Sequence, residues 1–139
     1  MTKTDQVNSP FRLHLDLRSG VPVYRQIMDQ VLGAVASGRL TSGDQLPTVR
    51  QLAVDLSINP NTVIRAYREL EIRGFLDTHQ GSGTFISEQR VEQDDEERRR
   101  KLDMIVSDAI SRAGAEGFTA KQVLDRLKEL LAEQKTRRS

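Results

Sequence analysis

The side chains of this sequence that can do chemistry are charged and hydrogen-bonding groups rather than nucleophiles. Cysteine is absent, so neither a disulfide frame nor thiolate chemistry is available. His14 and His79 are its two histidines. Neither has cysteines or convincing carboxylates around it, and a metal site needs several convergent ligands. No nucleophile stands beside a base, and no phosphate loop occurs, so neither an enzyme nor a cofactor is expected. What does concentrate is a polar face. Asn61, Arg65 and Arg68 recur at i, i+4 and i+7, with Thr62 at the edge, so a helix here would present two guanidinium groups and an amide together.

That helix has its own signals. Asn59 is a good N-cap and Pro60 suits the first helical position, where its missing N–H removes nothing. Val63, Ala66, Tyr67 and Leu70 make one apolar face, opposite the polar one, and Gly74 marks the end. A shorter helix precedes it. Thr48 followed by Gln51 is a capping box, and Val49, Leu52, Ala53 and Leu56 form its apolar stripe. Ser57 and Ile58 make a tight turn between the two. Further upstream, Val23, Ile27, Val31, Leu32 and Val35 recur at helical spacing with Tyr24 beside them, predicting a helix over 22–37 that stops at Gly38. Residues 39–47 read as a linker.

Downstream of Gly74, residues 75–79 and 84–87 read as two strands around a glycine-rich turn, Gln80 to Gly83. Three helices and a hairpin in this order make a winged helix-turn-helix. Residues 87–97 are polar and acidic and mark a boundary. A fourth helix starts at about Asp94, with Leu102, Ile105, Val106, Ala109, Ile110 and Ala113 on one side. Its charged start places acids at the positive end of the helix dipole and Glu97 four residues before Lys101. The segment from Gly114 to Phe118 breaks it. Thr119 and Gln122 form a second capping box, and Val123, Leu124, Leu127, Leu130 and Leu131 line a fifth helix. From Gln134 the tail should fray. The expected class is therefore mainly α: an N-terminal arm (1–20), a winged helix-turn-helix domain (21–88) and a two-helix C-terminal dimerisation hairpin (89–139).

Charge alone does not announce a partner. The 139 residues hold 21 basic and 20 acidic side chains, and the basic excess common in nucleic-acid binders is missing. Nothing approaches the roughly 18 apolar residues of a membrane span, and no secretory signal is visible. A cytoplasmic protein without membrane association is the expectation.

The stretch from Pro22 to Ile86 resembles the DNA-binding domain of the GntR family of bacterial regulators. The resemblance is carried by Pro22, Val23, Tyr24, Arg25, Gln26 and Ile27; by Gly38, Arg39, Leu40, Gly43, Leu46 and Pro47; and by the run from Thr48 to Ala53. It continues through Asn61 to Arg65, Ala66, Tyr67, Leu70 and Gly74, and ends in the wing from Gly81 to Phe85. The opening residues and short two-helix C-terminus resemble the YtrA-type branch, whose members are dimeric repressors, often of transport genes. The resemblance implies double-stranded operator DNA as partner and Arg50, Asn61, Thr62, Arg65 and Gly81 as DNA contacts. Arg50 lies in a first helical turn, where a guanidinium can fork onto a phosphate or guanine edge. Asn61 and Arg65 would read the major groove. Thr48 and Thr62 suit phosphate contacts, which set register without reading sequence. Some relatives carry a basic residue or histidine beside the wing glycine; here it is Gln80, which joins Gly81 as a wing contact, with His79 one position earlier.

Two readings stay open for several of these features. Arg68 either contacts DNA or pairs with Glu71 or Asp77. The C-terminal helices either fold back on the head or pair with a second copy, and the second is favoured because two four-turn helices bury little alone. For the whole chain, the rival to a repressor on an inverted repeat is a winged helix that docks a partner protein without reading DNA. So short a chain leaves little room for a dedicated ligand pocket, and no effector is identified.

Overall fold

The computed structural model describes residues 11–88 and 95–138; residues 1–10 of the expected N-terminal arm and the start of the fourth helix at Asp94 lie outside them. The chain divides into two compact units, Met1–Arg90 and Val91–Ser139.

Among the described residues, the first unit has three helices, α1 (Val23–Ser37), α2 (Val49–Leu56) and α3 (Pro60–Ile72), followed by strands β1 (Leu76–His79) and β2 (Gly83–Ile86). Their apolar stripes meet in one core. Ile27, Val31 and Ala34 of α1 pack with Leu52 and Ala53 of α2, Val63, Ala66 and Leu70 of α3, and Leu76 and Ile86 of the wing. Each Val, Leu or Ile side chain buried this fully contributes roughly 1.5–3 kcal/mol, so the stripes rather than helix propensity hold these short helices together. The segment 11–20, read as part of an N-terminal arm, supplies core as well. Phe11 is buried, and Leu13 and Leu15 pack against the cluster.

The helix ends follow the sequence chemistry. Thr48 accepts from the Gln51 N–H at 3.1 Å while the Gln51 amide oxygen accepts from the Thr48 N–H at 3.0 Å, closing the capping box. Asn59 caps α3 by accepting from the Asn61 N–H at 2.8 Å. Between them, Ser57 adopts φ 56°. The Ile58 N–H reaches back to Ala53 and the Ser57 N–H to Val54, which closes α2 with a left-handed residue where glycine is the usual choice. α3 ends in the same way, with Phe75 and Gly74 donating to Leu70 and Glu71.

The wing is an antiparallel pair in which Leu76 faces Ile86 and His79 faces Gly83. It is not alone. Residues 43–46, expected as part of a linker, run along β2: Gly43 donates to Ile86, Ile86 to Asp44, and Leu46 to Thr84, at 2.8–2.9 Å. Three residues between a glycine and a proline show no alternating pattern, so this pairing is set by tertiary position and not by local sequence. Gln45 adds a side-chain tie, its amide donating to the Ser82 carbonyl at 3.1 Å. Gly83, at φ 128°, makes room for it: a Cβ there would lie 2.5 Å from Gln45 Nε2.

Among the described residues, the second unit has two helices, α4 (Asp95–Ala115) and α5 (Ala120–Arg138). The break falls within the expected segment, Gly114 to Phe118. α4 runs through Gly114, and the stop is a Schellman turn in which Gly117 and Phe118 donate to Gly114 and Ala113. The Thr119–Gln122 capping box forms as expected, as does the Glu97–Lys101 ion pair at 3.3 Å. α5 is helical as far as Arg138. Among the described residues, burial in this unit goes no further than a half-covered Ala113 and Val123 beside the turn. Among them, too, no helix is long and apolar enough to cross a membrane.

Candidate nucleic-acid interface

The helix-turn-helix is built so that burial of one face of α3 forces the other outward. Val63, Ala66, Tyr67 and Leu70 are buried, while Asn61, Arg65 and Arg68 on the opposite side are exposed and Thr62 is half-buried at the edge. α3 is fixed relative to α2 by more than apolar contact. The Tyr67 hydroxyl donates to the Pro47 carbonyl at 2.8 Å, immediately before the capping box that starts α2. Burial pushes the Tyr67 phenol above its ordinary pKa, so the hydroxyl stays a donor. Arg50, the second residue of α2, is exposed at the same end of that helix as Thr48.

The cations of this face have no carboxylate claiming them. Among the described residues an ion pair of the first unit joins Arg25 to Asp29 at 3.8 Å on α1, and none engages Arg50, Arg65 or Arg68. The pairing of Arg68 with Glu71 or Asp77, one of two readings of the sequence, does not form. Thr48 is partly committed, because its oxygen accepts the capping hydrogen bond; its own proton can still be donated to a phosphate oxygen. At the wing, Gln80 and Gly81 are exposed at the tip, and the Ser82 N–H donates to the His79 carbonyl across the turn. His79 lies against Phe85, ring centroids 5.6 Å apart. The three elements thus carry the eight sequence-predicted residues at two helix starts, one helix face and one hairpin tip.

The sequence alone does not single out one participant. Tyr24 of α1 lies beneath Arg65, whose Cζ sits 3.8 Å from the ring centroid. The available signal is slight: an amphipathic ring one position off the apolar stripe of α1. Nor does the sequence flag Gln26. It is 8% exposed and binds the 16–21 turn, accepting from the Asp16 N–H at 2.8 Å and donating to the Asp16 and Val21 carbonyls at 2.9 Å.

The ten apolar positions of the C-terminal unit are aligned as expected but uncovered. Leu102, Ile105, Val106, Ala109 and Ile110 of α4 and Leu124, Leu127, Leu130 and Leu131 of α5 are all exposed, and Val123 is half-covered. Ile105 is 65% exposed and Leu127 52%, whereas the corresponding stripe of α3 is buried.

Residues 23–86 match the family described as bacterial regulatory proteins, gntR family. The HTH-type transcriptional repressor YtrA of Bacillus subtilis is 46% identical over 76 residues, which is 55% of this chain and 58% of that protein. The chain thus aligns with little more than half of that repressor's length. The HTH-type transcriptional regulator YhcF of the same organism is 34% identical over 111 residues, covering 80% of this chain and 91% of its own. Among solved structures, YtrA from Sulfolobus acidocaldarius, a GntR-family transcription factor, superimposes with a TM-score of 0.53 at 33% identity, covering 71% of this chain and 97% of that one.

Proposed function

The chain belongs to the gntR family of bacterial regulatory proteins, in its YtrA-type branch, and from that premise we propose that it is a homodimeric repressor whose winged heads bind the two halves of an inverted-repeat operator. Its relatives are transcriptional regulators and not enzymes. The observation that carries the DNA reading is the exposed face of α3, where Asn61, Arg65 and Arg68 project with no acidic partner among the described residues. A guanidinium offers five N–H donors and no acceptor, so an unclaimed pair of them beside an amide suits phosphates and guanine edges.

Arg50 and Thr48, at the N-terminal end of α2, contribute the positioning contacts. Backbone N–H groups and a positive dipole at a helix start favour a phosphate. Gln80 and Gly81 at the wing tip approach the minor groove. Pairing through α4 and α5 gives each operator half its own head, which raises affinity without any new kind of interaction. What supports the pairing is the uncovered apolar face of both helices, a surface that single soluble chains seldom leave open. Such a regulator works where bacterial DNA is, in the cytoplasm.

Selection of bound fragments from a random duplex pool tests this reading directly. The expected product is a two-fold-related motif whose half-sites lie about one helical turn, or a multiple of it, apart. A chain that enriches no sequence but retains partner proteins would instead be a protein-docking winged helix.

A further inference from the structure

The stacking of Arg65 on Tyr24 joins a helix outside the helix-turn-helix to the face proposed to read DNA. We propose that Tyr24 is a positioning residue for Arg65, holding its guanidinium so that the chain distinguishes one duplex sequence from another. This role rests on the DNA reading above.

Three observations carry it. The first is the stack itself: Arg65 Cζ lies 3.8 Å from the ring centroid, well inside the ~6 Å limit for a cation on an aromatic face. A guanidinium held by its flat face keeps its N–H groups pointing outward in the plane, where they can fork onto two acceptors. The second is that no ion pair among the described residues draws Arg65 elsewhere. The third is that the seat is rigid. Tyr24 is half-buried in the first turn of α1, and that turn is tied down by the buried Gln26 through its bonds to Asp16 and Val21. The Ile27 and Val31 side chains on the same helix are fully buried, so the ring does not drift relative to α3.

An arginine free in water samples many rotamers, and part of that freedom must be given up on binding. Stacking removes some of that freedom before DNA arrives. The gain is largest where geometry matters, in a bidentate contact to a base edge, and smallest for a phosphate that accepts many approach angles.

The experiment is a double-mutant cycle on the full chain, with two probes: the duplex most enriched from a random pool and a shuffled duplex of the same composition. Tyr24→Phe should stay within about twofold of wild type, and Tyr24→Leu should weaken the enriched duplex about fivefold while changing the shuffled one less. In an Arg65→Ala background, Tyr24→Leu should change affinity less than about twofold. An equal loss from Tyr24→Leu with and without Arg65 overturns the proposal, and so does a loss in Tyr24→Phe as large as in Tyr24→Leu. A second measurement needs no variant to fold: in the wild-type chain the Arg65 δ-methylene protons should be shifted upfield by the ring current. Their appearance at ordinary positions also overturns it. If the wild-type chain enriches no duplex, the DNA reading falls together with this one; binding without coupling removes only the role of Tyr24.

Discussion

The hydroxyl of Tyr67, in the middle of α3, donates to the carbonyl of Pro47, the residue just before the N-cap of α2. A single phenol thereby fixes the outward-facing helix against the start of its neighbour. Tyr67→Phe keeps the ring in the core and leaves the Pro47 carbonyl short of a donor, a loss of about 1–2 kcal/mol. The melting temperature should fall by several degrees, readable by circular dichroism.

The burial of the same hydroxyl sets an alkaline limit. Burial raises the Tyr67 pKa in the folded chain above the ordinary value of about 10. The folded state therefore favours the neutral phenol. Its contribution is fully present below the ordinary pKa and is lost as pH rises past it towards the raised folded value. Denaturant titrations at about pH 8 and above about pH 10 should show wild type losing stability that Tyr67→Phe does not lose.

Ser57 offers the opposite change. It closes α2 at φ 56°, a conformation that carries a penalty of about 1–2 kcal/mol for a residue with a Cβ. Glycine removes the penalty and adds unfolded-state entropy. Ser57→Gly should raise stability by about 0.5–1 kcal/mol, and unchanged or lowered stability would count against strain at this turn.

Arg50 and Arg65 separate the two functional readings. Each replaced by alanine should weaken binding to the enriched duplex by about tenfold, and the double variant should show a shallower dependence on salt, by roughly one unit of slope for each phosphate no longer neutralised. Affinity that is unchanged across a salt series would leave the head as a docking surface for protein.

Pairing is tested with the full chain in sedimentation equilibrium. Wild type should sediment with twice the mass of one chain. Leu127→Glu, which sets a charge in the middle of the apolar face of α5, should sediment as a monomer with the melting of the head unchanged. A monomeric wild type would remove the dimer.

Local chemistry made much of this structure legible. The capping boxes at Thr48 and Thr119, the proline start at Pro60 and the opposed faces of α3 are written in neighbouring residues, and the structure follows them. The misses share a cause. Residues 43–46 pair with β2, Phe11 joins the core, and Tyr24 meets Arg65, each through a partner distant in sequence that leaves no periodic trace. The stop of α4 does fall in the expected 114–118 segment, at the left-handed Gly117; Gly114 stays in the last helical turn, since a glycine inside a helix weakens it by only about 1 kcal/mol.

The open leucine face of α4 and α5 also bears on gene dosage. Where a hairpin finds its interior only in a second copy, the paired form at low abundance grows with the square of chain number. Halving synthesis then leaves about a quarter as many pairs, and the unpaired remainder shows its leucines to proteases and chaperones. A repressor built this way releases its target more sharply than its own level falls.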